Sequence, residues 1–341
     1  VTSRRQRLIY VGNLDSVLFR QRVARVQELL GQPSHTVLDT GRRKRIDTLR
    51  FLIACACLMI KVLLSPAPAK ILLHGAYSPV LWLLLLLRRV HVVSILQGSE
   101  LNVDFTGLRA RLITLILRRS ALVVCRNEAQ RKLAVELGEA QPERCVIVNW
   151  GLKEELFDVP FPPRQAEPIL ISPRATQREY NIQVIFAAVA RLKKEGQRFR
   201  FIYVRFNPTF ALDDLSAADE VLEAPPQNLL WTKIAQADLC ISVPDYDGLS
   251  NTILETLALG SMPLYSELPP YAFLKQDARL GISTELGDSF EQNVQRLQET
   301  IKHALSQLDE IRSGSHFRRD FAETHFRTGS GLEHIIGALR V

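Results

Sequence analysis

The sequence predicts an α/β protein built as two doubly wound, parallel-sheet domains in tandem, and three observations predict it. Its 341 residues exceed what one hydrophobic core usually organises. Short apolar runs alternate with longer amphipathic or apolar segments, which is the pattern of a parallel sheet with helices on both faces. After Asn149-Trp-Gly151 a Pro-rich, acidic stretch ending in 159–163 (VPFPP) reads as a linker, and beyond it the alternation restarts.

In the first half, the short apolar runs 8–11, 35–38, 70–74, 91–96, 121–125 and 145–149 predict strands. The segments 20–30, 46–64, 78–88, 107–119 and 127–137 between them predict helices. Beyond the Pro-rich stretch the expected strands are 168–172, 199–204, 228–231, 239–243 and 262–265, with helices at 182–195 and 251–259 and a mostly helical tail from 289 to 341. The expected domains are 1–160, 161–315 and a helical tail, 316–341, able to pack back on the first domain. Ligands of such sheets bind beyond the carboxyl ends of the strands, so a cleft between two facing domains is the expected site.

One stretch concentrates polar chemistry at such a strand end: residues 243–260, VPDYDGLSNTILETLALG. Pro244 ends the strand, and Leu254, Leu257 and Ala258 recur at helical spacing, so a helix begins near Ser250 with Ser250 or Asn251 as N-cap. The free amides of its first turn and its dipole suit an anion. Asp247 precedes the helix and Glu255 lies about one turn inside it, which puts the two carboxylates on the order of 10 Å apart. That separation is too wide for one shared metal and suits a ligand with hydroxyls at both ends and a diphosphate between, a nucleotide sugar. The alternative is a plain loop followed by a solvated helix residue.

Apolar residues make up 47% of the chain, which excludes a disordered protein. Charge is uneven: residues 1–165 carry 25 Lys and Arg against 13 Asp and Glu, whereas residues 166–341 carry 18 against 23. A basic first half predicts an acidic partner surface. Nucleic acid is not expected, because no basic helix interleaved with aromatics and no zinc-finger, RRM or KH signature is present. An anionic membrane is expected, since the basic residues adjoin apolar stretches: 41–45 (GRRKR) precedes 51–60 (FLIACACLMI), and 79–87 (PVLWLLLLL) precedes Arg88 and Arg89. Both stretches are too short to span a bilayer, and each reads either as a core helix or as an interfacial one. The polar start, Val1 to Arg7, has no secretory pattern, and the five cysteines (55, 57, 125, 145 and 240) form no CxxC pair. They read as buried thiols, and the expected location is cytoplasmic and peripheral to the membrane.

Several segments together resemble glycosyltransferase family 4, retaining enzymes of the GT-B fold. Residues 247–255 (DGLSNTILE) resemble that family's E-x7-E element, followed by a small-residue turn at Ala258-Leu-Gly260. Residues 91–101 (HVVSILQGSEL) resemble its strand ending in HGSD, 121–138 (ALVVCRNEAQRKLAVELG) its SE…LG helix unit, and 145–157 (CVIVNWGLKEELF) its pNGvd…F crossing. Residues 169–182 (ILISPRATQREYNI) resemble the strand and basic loop that open the nucleotide domain. The likeness covers roughly residues 90–270. It implies two Rossmann-like domains, acceptor-binding first and nucleotide-sugar-binding second. It also implies transfer of a sugar from a nucleotide-diphosphate-sugar donor to a glycan, in polysaccharide or lipid-linked oligosaccharide synthesis, with no metal and no cofactor beyond the donor.

Carried over residue by residue, the resemblance gives Glu255 the ribose hydroxyls and Asp247 those of the donor sugar. Gly248, Leu249 and Ser250, with Asn251 and Thr252, line the sugar and distal phosphate. Arg174 and Arg178 neutralise the diphosphate as it leaves, where positive charge lowers the barrier. Gly12 and Asn13 stand for the family's N-terminal Gly-Gly loop on the donor side. Gln97 stands where relatives commonly carry His and cannot act as a base at neutral pH. With Gly98, Ser99 and His74 it forms the expected acceptor side, and His74 alternatively reads as a capped core residue. Glu100, in place of the usual Asp, is expected to accept a proton from the acceptor or to orient it. Arg20 reads as a surface charge or a phosphate contact.

Three other readings remain open. Asp245-Tyr-Asp247 is a D-x-D, the metal-binding pattern of GT-A transferases. Gln97, Asp247 and the thin N-terminal loop also fit a catalytically degenerate nucleotide-sugar or glycan binder of the same fold, and a sugar-nucleotide epimerase shares the two-domain design.

Overall fold

The computed structural model describes residues 8–13, 17–31, 36–39, 53, 55–60, 62–64, 68–76, 90–97, 99–102, 105–163, 165–174, 178–206 and 214–340. The chain divides into two compact units, Val1–Trp150 with Gly329–Val341, and Gly151–Thr328.

The first unit contains a six-stranded parallel sheet in the order β2-β1-β3-β4-β5-β6. Its strands are β1 (Leu8–Gly12), β2 (Thr36–Asp39), β3 (Ala69–His74), β4 (Val90–Ile95), β5 (Leu122–Cys125) and β6 (Cys145–Ile147). Both faces are covered, which is why β1 (LIYVG) is buried at every position. Ile9, Val11, Ile71 and Leu73 point to one layer with Ile113, Ile116 and Leu117 of α2 (Gly107–Arg119) and with Cys55, Leu58 and Val62. Leu8, Tyr10 and Leu72 point to the other, with Phe19, Val23 and Val26 of α1 (Val17–Leu30) and Ile335, Ile336 and Leu339 of the last helix. Helix α3 (Glu128–Glu136) is capped by Asn127, whose side chain accepts the Gln130 amide.

The second unit repeats the design with the order β12-β11-β10-β7-β8-β9, all pairings parallel. Its strands are β7 (Ile169–Ser172), β8 (Arg200–Arg205), β9 (Glu220–Glu223), β10 (Leu239–Ser242), β11 (Met262–Ser266) and β12 (Ile282–Thr284). Helices α4 (Ile182–Lys194) and α7 (Phe290–Ser306) cover one face. Helices α5 (Gln227–Gln236), α6 (Asn251–Ala258) and α8 (Ser315–Phe326) cover the other. The final helix, α9 (Leu332–Arg340), belongs to the first unit.

Three sequence expectations are corrected. The run 228–231 is helical, within α5: Leu230, Trp231, Ile234 and Ala235 are its buried residues, and a four-residue apolar run cannot by itself distinguish strand from helix. Strands β9 and β12 carried no apolar signal. Sheet-edge β9 is EVLE, its end carboxylates paired with Arg200 and Arg205 of β8. The Pro-rich stretch is not a free linker: Leu152, Phe157 and Val159 pack on the second unit's core, and the Arg319 guanidinium lies 3.7 Å from the Phe161 ring centroid. Gly260, at φ 75°, has no room for a Cβ beside that same Phe161 ring. Of the expected tail, Ser315–Phe326 packs on α6 within the second unit, and only residues from Gly329 onward belong to the first.

Among the described residues no helix is long and apolar enough to cross a membrane. Four cysteines are buried as expected, but Cys57 is exposed. Desolvation pushes the Cys125 and Cys240 thiols up to about 12. The stretch 79–87 and the basic run 41–45 lie outside the described residues.

Candidate active site

In the second unit the polar stretch folds as its sequence suggests. β10 stops at Ser242, the chain turns through Asp247 and Gly248, and Ser250 caps α6. Ser250 makes no side-chain bond to the helix amides, because its hydroxyl instead accepts from Arg174 Nη1 at 2.8 Å. Helix starts of this kind present their first-turn amides to anions.

Arg174, just past the end of the neighbouring strand β7, organises this turn. Its Nη2 donates to Asp247 Oδ2 at 2.6 Å, Nη1 also reaches Thr252 Oγ1 at 3.4 Å, and the guanidinium lies 4.1 Å from the Tyr180 ring centroid. It is buried, and its Nε has no partner among the described residues. Burial alone would weaken its hold on the proton, but Asp247 and the tyrosines Tyr180 and Tyr271 more than compensate, so it stays cationic. Asp247 also accepts from the Tyr271 hydroxyl at 2.8 Å and, through Oδ1, from the Gly248 amide at 2.8 Å. Tyr271 is fully buried; burial and then Asp247 push its phenol well above the ordinary range, so it remains a donor. Leu249 is buried beneath this turn.

Glu255 sits within α6, partly buried, where the Trp231 indole N–H of α5 donates to its Oε2 at 3.3 Å. Desolvation pushes its carboxyl up to about 7, partly offset by Trp231 and Lys153. Lys153 lies 5.7 Å from the Trp231 ring centroid and donates to Gln227 at 2.9 Å. A carboxylate beside a partly buried indole and a lysine is equipped to accept a pair of hydroxyls. Arg178 is exposed, and its side chain makes no hydrogen bond or ion pair among the described residues. Thus Arg174, Asp247, Ser250 and Thr252 form one network, while Arg178 stands outside it.

The two acids of the D-x-D have different partners. Asp245 accepts from Asn181 Nδ2 at 2.6 Å, whereas Asp247 faces Arg174 and Tyr271. No group of three metal-ligating side chains occurs among the described residues.

In the first unit, Gly12 ends β1, and the place of its missing Cβ is filled by the Phe19 ring and His74 Cβ. Its small size serves that packing, and Asn13 follows it, half-buried. Glu100 is 0% exposed, and both its oxygens accept the Gln97 backbone amide, at 2.8 and 2.9 Å. A carboxylate so turned to the backbone holds the loop after β4 and suits orienting, the second of its two expected roles, through Gln97. The Gln97 side chain donates to Ile95 O at 3.4 Å and accepts from Arg22 Nη1 at 3.3 Å. His74 Nε2 faces the same Arg22 nitrogen at 2.8 Å. Burial and the arginines Arg22 and Arg126 drive the His74 pKa down to about 3, so the ring is neutral. Gly98 and the Ser99 side chain lie outside the described residues, and Arg20 is exposed.

Sequence reasoning missed Arg22, Trp150, Trp231, Lys153 and Tyr271. Trp231 was hidden by its assignment to a strand. Tyr271 lies in a 3₁₀ segment, Pro269–Gln276, some 24 residues beyond its partner, and nothing local marks it.

No family model and no curated protein matches the sequence. Solved structures do. Sucrose-phosphate synthase from Thermosynechococcus elongatus superposes with a TM-score of 0.72 at 14% identity, covering 98% of this chain and 97% of that one. Anabaena HepE in complex with UDP gives 0.69 at 11% identity, covering 94% and 96%. WaaG, a glycosyltransferase involved in lipopolysaccharide biosynthesis, gives 0.66 at 13% identity, also covering 94% and 96%. At such identities the likeness speaks for the fold: the chain has the α/β GT-B architecture.

Proposed function

We propose that the chain is a retaining, metal-independent glycosyltransferase related to family 4, moving a sugar from a nucleoside diphosphate sugar to a glycan in polysaccharide or lipid-linked oligosaccharide synthesis. The observation that carries this reading is the turn between β10 and α6, where Asp247, the first-turn amides and Glu255 follow one another along the chain with Arg174 beside them. Glu255 takes the ribose hydroxyls, and the amides at the helix start take the diphosphate. Arg174 holds Asp247 toward the sugar and supplies positive charge as the diphosphate leaves. HepE, which shares the fold, has been solved with UDP and with UDP and glucose. The proposal of metal independence rests on the commitments of Asp245 to Asn181 and of Asp247 to Arg174.

A thermal-shift panel of UDP, GDP, ADP and CMP sugars should single out one donor class. Transfer or slow donor hydrolysis with that donor should persist in EDTA, and NMR should show a product of unchanged anomeric configuration. Inverted product or loss of turnover in EDTA would overturn the corresponding part of the reading. Tight donor binding with neither transfer nor hydrolysis would identify a binder instead.

Membrane association, on the cytoplasmic side, belongs to the same proposal. Within residues 53–64, Cys55, Leu58 and Val62 enter the core while Ile53, Ile60, Leu63 and Leu64 are exposed, the last by 80%. This apolar stripe follows the sequence run Arg42-Arg-Lys-Arg45. Apolar insertion plus basic attraction predicts sedimentation with anionic vesicles that weakens as salt rises. Sedimentation equal with neutral and anionic vesicles would refute the electrostatic part.

A further inference from the structure

We propose that the carboxyl edge of the first unit's sheet holds a binding site for an oxyanion, a phosphate or carboxylate group carried by the acceptor, with Arg22 as its central cation. The word acceptor rests on the function proposed above; the anion site itself rests on the following geometry.

Five elements converge on Arg22 or act on its charge. Helix α1 supplies Arg22, the end of β3 supplies His74, the turn after β4 supplies Gln97, the turn after β5 supplies Arg126, and the chain beyond β6 supplies Trp150. All these strands are parallel, so their carboxyl ends share one edge, where open α/β sheets take ligands.

Arg22 is only 4% exposed, yet among the described residues no carboxylate pairs with it. Its Nη1 meets His74 Nε2 and Gln97 Oε1, both uncharged, and its guanidinium lies 5.1 Å from the Trp150 ring centroid. Arg126 acts on Arg22 in the unfavourable sense, and Glu100, the carboxylate that acts on it among the described residues, is turned to the Gln97 amide. Burial, and after it Arg126, pull the Arg22 pKa well below its ordinary value. A second donor in the cluster, the Trp150 indole N–H, is buried and has no acceptor among the described residues. Buried cations are ordinarily paired, so a buried Arg22 whose hydrogen-bond partners are neutral, next to an indole N–H without an acceptor among the described residues, fits an incoming anion at a sheet's ligand edge. A purely structural Arg22 would tie β3 and β4 together and would not make the cluster respond to anions.

The two tryptophans described at the two sites give independent reporters. Indole resonances of ¹⁵N-labelled protein, assigned with Trp150→Phe and Trp231→Phe, are followed while inorganic phosphate, acetate or chloride is added at constant ionic strength. Phosphate or acetate, but not chloride, should shift the Trp150 resonance saturably, and the more effective of the two identifies the anion class. In Arg22→Gln the apparent affinity should fall about 10- to 100-fold, and Arg22→Lys should recover part of it. No saturable shift of Trp150 in the wild type would overturn the proposal without recourse to any variant, and an unchanged affinity in a folded Arg22→Gln protein would overturn it too. The Trp231 resonance, beside Glu255, should respond to UDP, GDP or ADP in both proteins. Its silence would sink the donor reading while leaving the anion result to stand or fall by itself.

Discussion

Arg174→Gln should cost about 3 kcal/mol of folding stability and lower turnover about 100- to 1,000-fold, and the two losses should be separable. Removing one partner of a buried ion pair typically costs about 3–5 kcal/mol because the other charge is left uncompensated. Asp247 retains Tyr271 and the Gly248 amide and is 18% exposed at its side chain, which puts the cost at the lower end. In Arg174→Gln with Asp247→Asn the stranded charge is gone, so denaturant midpoints should show the double variant more stable than Arg174→Gln alone. Turnover should not recover in step, since the charge aimed at the leaving diphosphate is still missing. Additive stability losses would show that the pair does not interact, and activity returning with stability would reduce Arg174 to a structural residue.

That network also shows what the sequence could and could not convey. Asp247, Gly248, Ser250 and Glu255 were legible because one strand end, one turn and one helix start lie within 18 consecutive residues, and local chemistry constrains local structure. The alternation of runs conveyed both sheets, since a parallel strand buried on both faces must be continuously apolar. Edge strands β9 and β12 escaped because an edge needs no such run, and α5 was misread because burial on a helix face and in a strand look alike over four residues. Tyr271 and Arg22 escaped for a different reason: their roles depend on partners 24 and 52 residues away, which no period or spacing encodes. Glu100 shows the converse, a residue whose type suggested chemistry but whose fold position commits it to a backbone amide.

Glu255→Gln should stabilise the ligand-free protein at neutral pH and at the same time weaken nucleotide binding about tenfold or more. Folding raises the Glu255 carboxyl from its ordinary 4.5 to about 7, chiefly by desolvation. Between those values the folded state binds more protons than the unfolded one, so this group's contribution to stability is complete below pH 4.5, declines as pH rises and is lost above about 7. At 1.36 kcal/mol per unit the shift sets a ceiling of about 3 kcal/mol, and partial exposure reduces it to about 1–2. Gln carries no such penalty, so the stability gap between variant and wild type should open from pH 5 to 7 and stay constant beyond. Binding should run the other way, because two ribose hydroxyls are best accepted by the ionised carboxylate and Gln offers one neutral acceptor oxygen. Wild-type nucleotide affinity should therefore rise through pH 7, with a proton released on binding below it, visible by calorimetry in buffers of different ionisation enthalpy; the variant should bind weakly and without that pH dependence. Parallel stability profiles for the two proteins would show that Glu255 titrates normally, and equal affinities would remove the nucleotide from this side chain. The opposite signs of the two effects are the diagnostic feature, since a residue retained at a cost to stability is retained for what it binds.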